Sequence, residues 1–464
     1  MHFEGMVVTA TYSDGSTKDV TSGCGYEGFD STKVIASQTI TVKYTENGIT
    51  QTTEITVSVR ERKPVKVSFD FNGLSGSMDD QTFIEITPQN INPNQYLRNN
   101  DGTYYYMFAG WNTKADGSGT SYEDGASFST RESTTLYAQW KVFAKKNGDY
   151  LEFGEWPQTL KADSVTVDEN DSEVHGMFTY YKGSDGAWYV KQAENAYSDN
   201  YKYSDGITTV GKGGTTYKYF KVEPIKWCVL TNDYEYDKTN NSGDKATFLL
   251  AANILTGNVP YYESTSDRTI GENTVYANNY KESQVRAYLN GLSYQGVSKE
   301  QTTWNNKGFL QTAFCDDELI NILTTEVENG GESTTDAAKN MYWANGKKED
   351  GVTDSDNKDY TCENTNDKIF LPSVQEVTTT EYGFTVYNSG GETNSRVRKT
   401  TDFALANYAQ TSSWGGFWWL RSPYYRLQNS ARSINNAGNS SDQQYSNVNW
   451  EDDGVVPALC IKLQ

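Results

Sequence analysis

Residues 414–423 read WGGFWWLRSP, and residues 454–459 read GVVPAL. Trp418, Trp419 and Leu420 form an apolar run, which predicts a central strand buried on both faces. The GVVPAL block predicts a second buried strand for the same reason. The residues between the two blocks are dense in Tyr, Asn, Ser, Gln and Asp, which contribute more to a surface than to a core. This contrast predicts a rigid frame that presents a polar face, and it favours recognition over catalysis.

The length and composition predict several folded domains. A chain of 464 residues is too long for one ordinary core, so about three domains are expected. Aromatic residues make up 14% of the chain, with 34 Tyr and 11 Trp, which is typical of folded β modules and not of disordered chains. The formal net charge of −21 argues against nucleic acid or an anionic membrane as a partner, because both bind a positive surface.

The sequence lacks the usual signals for membrane insertion and secretion. No run approaches about 18 apolar residues, so no transmembrane helix is predicted. The first residues, MHFEG, contain neither the charged nor the apolar region of a signal peptide. A cytoplasmic protein is one interpretation. The first domain favours another, an extracellular fragment whose signal or lipid anchor lies further upstream.

Cysteine and histidine usage argues against metal and nucleophilic chemistry. The five cysteines are widely spread and contain no C-x-x-C pair, which indicates neither a disulfide framework nor a zinc site. Cys228 in IKWCVL and Cys460 in ALCIKL lie in strand-like apolar runs and are expected to be small buried residues. The two histidines are His2 and His175, so imidazole metal sites and Ser-His-Asp catalysis are nearly excluded. We therefore predict no catalytic residue, no metal and no cofactor.

Residues 1–60 alternate like the strands of a β-sandwich. The strands are predicted in MVVTATY, QTITVKY and TTEITVSV, and the turn signals SDGS and ENG join them. The run GMVVTATYSDGSTKDVT with the two later strands resembles the bacterial Ig-like domains of surface proteins. Such domains begin one strand earlier, so the resemblance implies N-terminal truncation. A complete small β domain is the alternative.

Residues 64–140 carry more specific motifs. FAGWNTKADGSGTSY is followed by LYAQW, and both resemble the internalin-type B-repeat, also called the Listeria–Bacteroides repeat. The resemblance implies a small β-rich spacer of bacterial surface proteins. Trp111, Tyr122, Leu136, Tyr137 and Trp140 are expected to fill its core.

Residues 145–464 mix strand patterns with short helical ones. Val285, Tyr288 and Leu289 lie on one face of a predicted helix that Gly291 ends. The motifs, in chain order, are EPIKWCVL, SQVRAYLNG, GFLQTAF, KIFLPSVQEV, WWLRSP and GVVPALC. They resemble the C-type-lectin-like domain of the formylglycine-generating-enzyme type, and within it the treponemal variable proteins diversified by retroelements and related uncharacterised bacterial domains. The expected fold is multidomain: an all-β Ig-like sandwich, a small β-rich repeat module, and an α+β C-type-lectin-like ligand-binding domain.

The resemblance does not carry over an enzyme or a calcium site. Oxidases of this fold use paired redox cysteines and copper, but no second cysteine lies near Cys460. Calcium-dependent lectins use E-P-N or Q-P-D followed by W-N-D. Glu223-Pro224-Ile225 lacks the third ligand, and Trp450-Glu451-Asp452 matches only loosely. Adjacent carboxylates such as Asp316-Asp317 could serve acid–base work, but in an acidic chain they are usually solvated.

Arg421 lies in the predicted WWLRSP strand, where an uncompensated guanidinium would be costly. Glu376 is the expected partner in a bidentate pair, so Arg421, Glu376, Trp418 and Trp419 are predicted structural residues. The alternative is that Arg421 caps local carbonyl groups.

The segment 424–453 is the predicted recognition face. Tyr combines contact area with few rotors, and Ser, Asn and Gly adapt their hydrogen bonds. Tyr, Trp and Arg are the usual hot-spot types, and those of this segment are expected to anchor the ligand. The expected ligand-binding residues are Tyr424, Tyr425, Arg426, Asn429, Ser433, Asn435, Asn436, Asp442, Tyr445, Asn447, Asn449 and Trp450. Ala431, Ile434, Gly438 and Val448 are expected to be scaffold within the segment.

The resemblance to the variable proteins implies diversification of this segment through adenine-rich codons, which yields residues such as Asn, Ser, Tyr and Asp. Most positions fit. Gln443, Gln444, Trp450 and Glu451 do not, so either they are fixed or this copy is not diversified.

Together these features predict a non-catalytic adhesion or ligand-binding protein of the bacterial cell surface. The expected partner is a protein or glycan ligand on another cell or host. The alternatives are a formylglycine-type or other enzyme, a structural envelope protein, and a polar loop-rich surface with no partner.

Overall fold

The computed structural model describes residues 6–74, 76–96, 98, 101–238, 243–338, 344, 358–387, 389–441 and 444–462. The chain is multidomain and β-rich, as predicted. It divides into two compact units: Met1–Tyr96 with Ala109–Gln139, and Leu97–Phe108 with Trp140–Gln464. Among the described residues, no helix has the length and apolar character needed to span a membrane.

The first part of the smaller unit contains five strands. They are β1 (Thr9–Thr11), β2 (Thr17–Asp19), β3 (Gly25–Glu27), β4 (Ile35–Glu46) and β5 (Ile49–Val59). Strands β1 and β2 form a hairpin, and β3, β4 and β5 form an antiparallel sheet in that order. The predicted ENG turn joins β4 to β5, with Asn47 and Gly48 both at positive φ, as a two-residue hairpin requires. This arrangement is consistent with an Ig-like β domain.

The repeat region adds seven strands. They are β6 (Pro64–Asp70), β7 (Gln81–Ile84), β8 (Gln89–Asn90), β9 (Tyr104–Asn112), β10 (Ser121–Tyr122), β11 (Ser127–Phe128) and β12 (Thr134–Asn147). The two predicted flanking strands, β6 and β12, pair in parallel. Of the expected core residues, Trp111 and Leu136 are fully buried, whereas Tyr122, Tyr137 and Trp140 are half-buried.

The larger unit is built on a twisted antiparallel sheet. Its strands are β13 (Tyr150–Leu160), β14 (Val167–His175), β15 (Phe178–Gly183), β16 (Trp188–Ala193), β17 (Tyr217–Glu235) and β18 (Lys245–Ala251). The order is β13, β17, β16, β15, β14, and the far end of β17 pairs with β18. Short strands follow: β19 (Asn253–Ile254), β20 (Arg268–Ile270), β21 (Asn273–Val275), β22 (Tyr294–Gln295), β23 (Glu300–Gln301), β24 (Thr325–Val327) and β25 (Thr365–Asp367).

The described part of this unit also contains short α-helices. They are α1 (Gln284–Asn290), α2 (Phe309–Ala313), α3 (Asp316–Leu319) and α4 (Asp402–Ala406). Helix α1 is as predicted: the Ser283 hydroxyl caps it by accepting from Arg286 N at 3.2 Å, and Gly291 ends it at φ 68°. Helix α3 has Cys315 as its N-cap and carries Asp316, Asp317 and Glu318 in its first turn.

The last strands of the larger unit carry the two apolar blocks. They are β26 (Ile369–Phe370), β27 (Lys399–Thr400), β28 (Trp418–Pro423), β29 (Ser430–Ile434), β30 (Tyr445–Asn447) and β31 (Ala458–Ile461). Strand β31 lies between β18 and β26, as a central strand should. Its predicted start was too early, because Val455 and Val456 are buried but precede it.

Strand β28 is buried throughout, as predicted, but it is not central. It forms one edge of the three-stranded sheet β28–β29–β30. Its free edge is covered by Gly454, whose carbonyl accepts from Trp419 N at 3.0 Å and whose N–H donates to Phe417 O at 2.8 Å. Gly454 also lies against Ile254, where a Cβ would come within 2.2 Å of Ile254 Cγ2, so no larger residue fits there. Burial of this edge strand therefore depends on close backbone packing.

Candidate functional site

The predicted ion pair holds the frame of the site together. Arg421 Nη1 lies 2.6 Å from Glu376 Oε2, and Arg421 Nη2 lies 3.0 Å from Glu376 Oε1. Both side chains are buried, and Glu376 also accepts from Tyr234 Oη at 2.8 Å and from Ser373 N at 2.8 Å. Burial alone would raise the pKa of Glu376, but the charge and hydrogen bonds of Arg421 outweigh it and hold that pKa below its usual value. The predicted bidentate pair is confirmed.

Arg421 also binds backbone carbonyl groups, so the alternative role contributes as well. Its Nη1 donates to Leu371 O at 2.9 Å, and its Nε donates to Glu328 O at 3.1 Å. One guanidinium therefore joins strand β28 to two other segments of the domain, at Glu328 and at 371–376. Removing it would leave the buried Glu376 carboxylate without its ion-pair partner and two carbonyl groups without this donor.

A second buried arginine, Arg396, was not anticipated. Its Nε donates to Gly438 O at 2.7 Å, and its Nη atoms donate to Thr385 O at 2.6 Å and Ser389 O at 3.0 Å. Burial lowers its pKa to about 10. The residue ties the turn after β29 to the loop that precedes β27. No local pattern signals this role, because the contact with Gly438 O joins residues that are 42 positions apart.

Tyr424 and Tyr425 were expected to anchor a ligand at the surface, but they lie inside. Their exposed fractions are 5% and 3%. The ring of Tyr424 stacks on that of Tyr445 with centroids 3.9 Å apart, and both buried tyrosines join a small cluster with Ala344 and Tyr360. The physical reason is that Tyr424 directly follows β28 and pairs with Ser430 of β29, so that its ring is buried against Tyr445 of β30. The two residues support the face and do not form it.

Three further predicted residues are used internally. Ser433 is fully buried, and its hydroxyl lies 3.2 Å from that of Ser446. Asn435 Oδ1 accepts from Ala437 N at 3.0 Å and from Asn439 N at 2.9 Å, which makes it a turn residue. Asn436 is half-buried and donates to Ser412 Oγ at 2.8 Å. Asp442 lies outside the described residues. The predicted scaffold residues Ala431, Ile434, Gly438 and Val448 are buried.

The remaining predicted residues define what we call the exposed face: Arg426, Asn429, Asn447, Asn449 and Trp450. Arg426, Asn449 and Trp450 are exposed, with 46% of Trp450 accessible, and the two other asparagines are half-buried. The half-buried Tyr445 lies behind them in its stack with Tyr424. Arg426 lies 5.0 Å from the centre of the Tyr425 ring.

Backbone contacts bring the two halves of the exposed face together. Val448 N donates to Asn429 O at 3.0 Å, and Ser430 pairs with Asn447 in the β29–β30 register. The buried Asn278 fixes the loop between β28 and β29, because its amide donates to Leu427 O and Ser430 O at 3.0 Å each. Asn278 was not anticipated either. The exposed face thus offers amide donors and acceptors, one guanidinium and one indole on a fixed backbone, which suits recognition.

The acidic residues at the end of the segment differ in environment. Asp453 is buried, and burial raises its pKa to about 7, against the lowering effect of a hydrogen bond with Ser446. Its Oδ2 has no hydrogen-bond partner within the described part of the chain. Burial also raises the pKa of the half-buried Asp452, whereas Glu451 is exposed.

The thiols do not have the environment of catalytic groups. Cys460 is fully buried as predicted, and burial raises its pKa well above the ordinary value, which disfavours the reactive thiolate. Cys228 is half-buried, and burial raises its pKa as well. Within the described ranges, no group of three or more His, Cys, Asp or Glu side chains is placed to hold a metal ion.

Comparison with known proteins identifies two regions. Residues 65–139 match the Listeria-Bacteroides repeat domain, and residues 244–463 match a family described as Domain of unknown function (DUF6273). A protein of Evansella cellulosilytica whose name includes the words Gly-rich membrane protein is 40% identical over 78 residues. That match spans 16% of this chain and 9% of the relative. No solved structure matches the chain. The chain therefore carries a Listeria–Bacteroides repeat, as predicted, followed by a DUF6273 domain.

Proposed function

We propose that this chain is a non-catalytic ligand-binding or adhesion protein of the bacterial cell surface. The exposed face would capture a protein or glycan on another cell or host, and the N-terminal β modules would act as spacers. The observation that carries the proposal is the exposed face itself. It presents Trp450, Arg426 and three asparagines on a backbone that the buried residues Asn278, Tyr424 and Tyr425 support.

Preorganisation supports binding over a passive polar surface. Asn278 and the β29–β30 pairing fix the backbone under the exposed face, so little conformational entropy remains to be lost on binding. Trp and Arg are frequent hot-spot residues, and a half-exposed indole offers apolar area to a partner. A surface without a partner would have no need for such support beneath exposed amides.

The placement on a cell surface rests on the repeat and on the curated relative. Listeria–Bacteroides repeats are typically surface-associated. The Evansella protein carries the words membrane protein in its name, although the match covers a small part of it. The net charge of −21 would keep the chain apart from an anionic envelope.

We further propose that the scaffold is C-type-lectin-like and related to the retroelement variable proteins. Substitution of a buried residue disrupts folding, so only the exposed positions of the segment could vary among gene copies. Tyr425, Ser430, Ser433 and Ser446 are buried, whereas Asn429, Asn447 and Asn449 reach solvent. Sequencing several gene copies tests this. Differences concentrated at the three asparagines support diversification, and differences scattered through the buried frame contradict it.

An enzyme of the formylglycine type is the first alternative. The buried thiol of Cys460 argues against it, because burial raises its pKa and disfavours the reactive thiolate. A structural envelope protein is the second.

The deciding experiment is a glycan and host-protein array probed with the full chain and with the variants Asn449→Ala and Trp450→Ala. We expect capture of a ligand that both variants lose. Capture unaffected by either variant contradicts the proposed function.

A further inference from the structure

Three segments that are distant in sequence meet at Glu451 and Asp452, the two residues that follow Trp450 in the chain. Gln410 N donates to Asp452 O at 2.8 Å, and Asn258 N donates to Glu451 O at 2.8 Å. On the far side of Gln410, the ring of Tyr408 meets that of Tyr197, with centroids 5.7 Å apart and planes at 78°. Tyr197 is 37% exposed and Tyr408 is half-buried. We call Tyr197, Tyr408, Trp450, Glu451 and Asp452 the aromatic–acidic surface.

Hydrogen bonds hold the segment of Tyr197 against that of Tyr408. Tyr201 Oη donates to Thr411 O at 2.9 Å and accepts from Thr411 N at 2.9 Å. The Asp452 carboxylate lies close enough to raise the pKa of Tyr201, although burial is the larger cause. Aromatic rings and carboxylates from separate parts of the sequence therefore share one fixed surface.

The backbone at Tyr408 adopts a conformation that favours glycine. Its φ is 69°, which is uncommon for a bulky side chain. The neighbouring Gly257 packs so closely that a Cβ would lie 2.4 Å from Ala409 N, so tight packing holds the segment in place. From this backbone conformation, the ring of Tyr408 contacts that of Tyr197.

Among the described residues, Glu451 and Asp452 form no ion pair with a basic side chain. A cation next to carboxylates and aromatic rings is attracted both by the negative charge of the carboxylates and by the negative faces of the rings. A chain of net charge −21 also steers positively charged partners toward itself.

We propose that the aromatic–acidic surface binds a lysine- or arginine-bearing peptide segment of a partner protein. The cationic side chain contacts the rings of Tyr197 and Tyr408 and pairs with Asp452 and Glu451, while Trp450 packs on the adjoining part of the peptide. This inference rests on the proposed function, because Trp450 belongs to both surfaces. It adds the class of ligand and two tyrosines outside the segment 424–453.

The test uses the full chain and two peptides, one lysine-rich and one with every lysine acetylated, which removes the charge. Binding is measured by isothermal titration calorimetry at low and at physiological salt. The variants are Tyr197→Ala with Tyr408→Asn, and Glu451→Gln with Asp452→Asn. Asparagine at position 408 tolerates positive φ, so the fold is retained without the ring.

Matched controls separate this surface from general attraction to an acidic protein. Tyr217→Ala removes an exposed tyrosine elsewhere in the same unit, where Tyr217 is 58% exposed. Asp163→Asn with Asp233→Asn removes two exposed carboxylates, the same charge change as in the test variant. We expect each test variant to weaken binding of the lysine-rich peptide about tenfold or more, and the controls to change it less than about twofold.

Equal losses in test and control variants, or equal binding of the acetylated peptide, would overturn the inference. Retention of an array ligand by the Tyr197→Ala, Tyr408→Asn variant, with no lysine-peptide binding by the wild type, would overturn it while leaving the proposed function intact. Absence of any ligand on the array would instead count against the proposed function.

Discussion

Two parts of the larger unit differ in where their polar groups find partners: the exposed face, and the buried strands β28 and β31 with the Arg421–Glu376 pair, which we call the frame. In the frame, Arg421 satisfies its donors on Glu376 and on backbone carbonyl groups, all buried. On the exposed face, the side chains of Arg426, Asn449 and Trp450 are exposed to solvent. Under the proposed function, stability and recognition depend on separate residues, so substitutions should separate the two properties.

The largest expected effect is on the frame. Replacing Arg421 with Ala leaves the Glu376 carboxylate buried without its ion-pair partner, so we expect a loss of about 4 kcal/mol in the free energy of unfolding. Chemical denaturation measures it. The matched control is Arg426→Ala, which removes an exposed arginine and should change stability by less than about 0.5 kcal/mol. Similar losses for both arginines would contradict the division between frame and face.

The second largest expected effect is a pH dependence of the free energy of unfolding that arises from Asp453. Its folded pKa is raised to about 7 by burial, whereas the unfolded value is about 3.8, so the folded state holds a proton that the unfolded state has lost. Stability from this group is fully present below about pH 4 and falls as pH rises toward about 7. Relative to Asp453→Asn, the wild type should lose unfolding free energy with a slope approaching 1.4 kcal/mol per pH unit in that window.

Thermal or chemical unfolding of both proteins from acid to neutral pH measures this difference, and the contributions of all other groups cancel between them. Above about pH 7 the difference should be constant. A difference that is flat from pH 4 to 7 would contradict the raised pKa of Asp453.

The third effect separates buried from exposed aromatic residues. Tyr425→Ala removes a buried ring from the cluster with Tyr424, so we expect a loss of about 3 kcal/mol. Trp450→Ala should cost less than Tyr425→Ala, because nearly half of the Trp450 side chain is already exposed. Unfolding curves of the two variants provide the comparison. An equal cost would place Trp450 in the core.

The smallest effect belongs to the asparagines of the exposed face. Asn449 is exposed, so Asn449→Ala should change the free energy of unfolding by less than about 0.5 kcal/mol. Asn278→Ala is the contrast, because its buried amide donates to two carbonyl groups and its loss leaves both without that donor. We expect a cost of about 2 kcal/mol for Asn278→Ala. Equal stability of the two variants would remove Asn278 from the supporting network.

The sequence predicted the frame well because its evidence is local. Apolar runs located β28 and β31, and the cost of burying Arg421 pointed to its partner Glu376. Helix α1 followed from its apolar spacing and from Gly291. The edge position of β28 could not be predicted, because it depends on the backbone of Gly454, which follows β28 in the chain only after the whole segment 424–453.

The exposed face was predicted only in part, because tyrosine and asparagine occur in both buried and exposed positions. Tyr424 is buried through its stack on Tyr445, a contact across two strands that no local pattern contains. Asn435 faces its own turn, whereas Asn449 faces solvent, although both have the same side chain. Tyr197 and Tyr408 were missed because only the tertiary fold brings them beside Asp452.

The most direct test of the central claim is the capture of ligands on a glycan and host-protein array by the wild type and by the triple variant Asn447→Ala, Asn449→Ala, Trp450→Ala, with unfolding measured on both. We expect the wild type to capture a ligand, and the triple variant to lose that capture with an unfolding free energy within about 1.5 kcal/mol of the wild type. The same captured ligands with the triple variant would contradict the assignment of recognition to the exposed face.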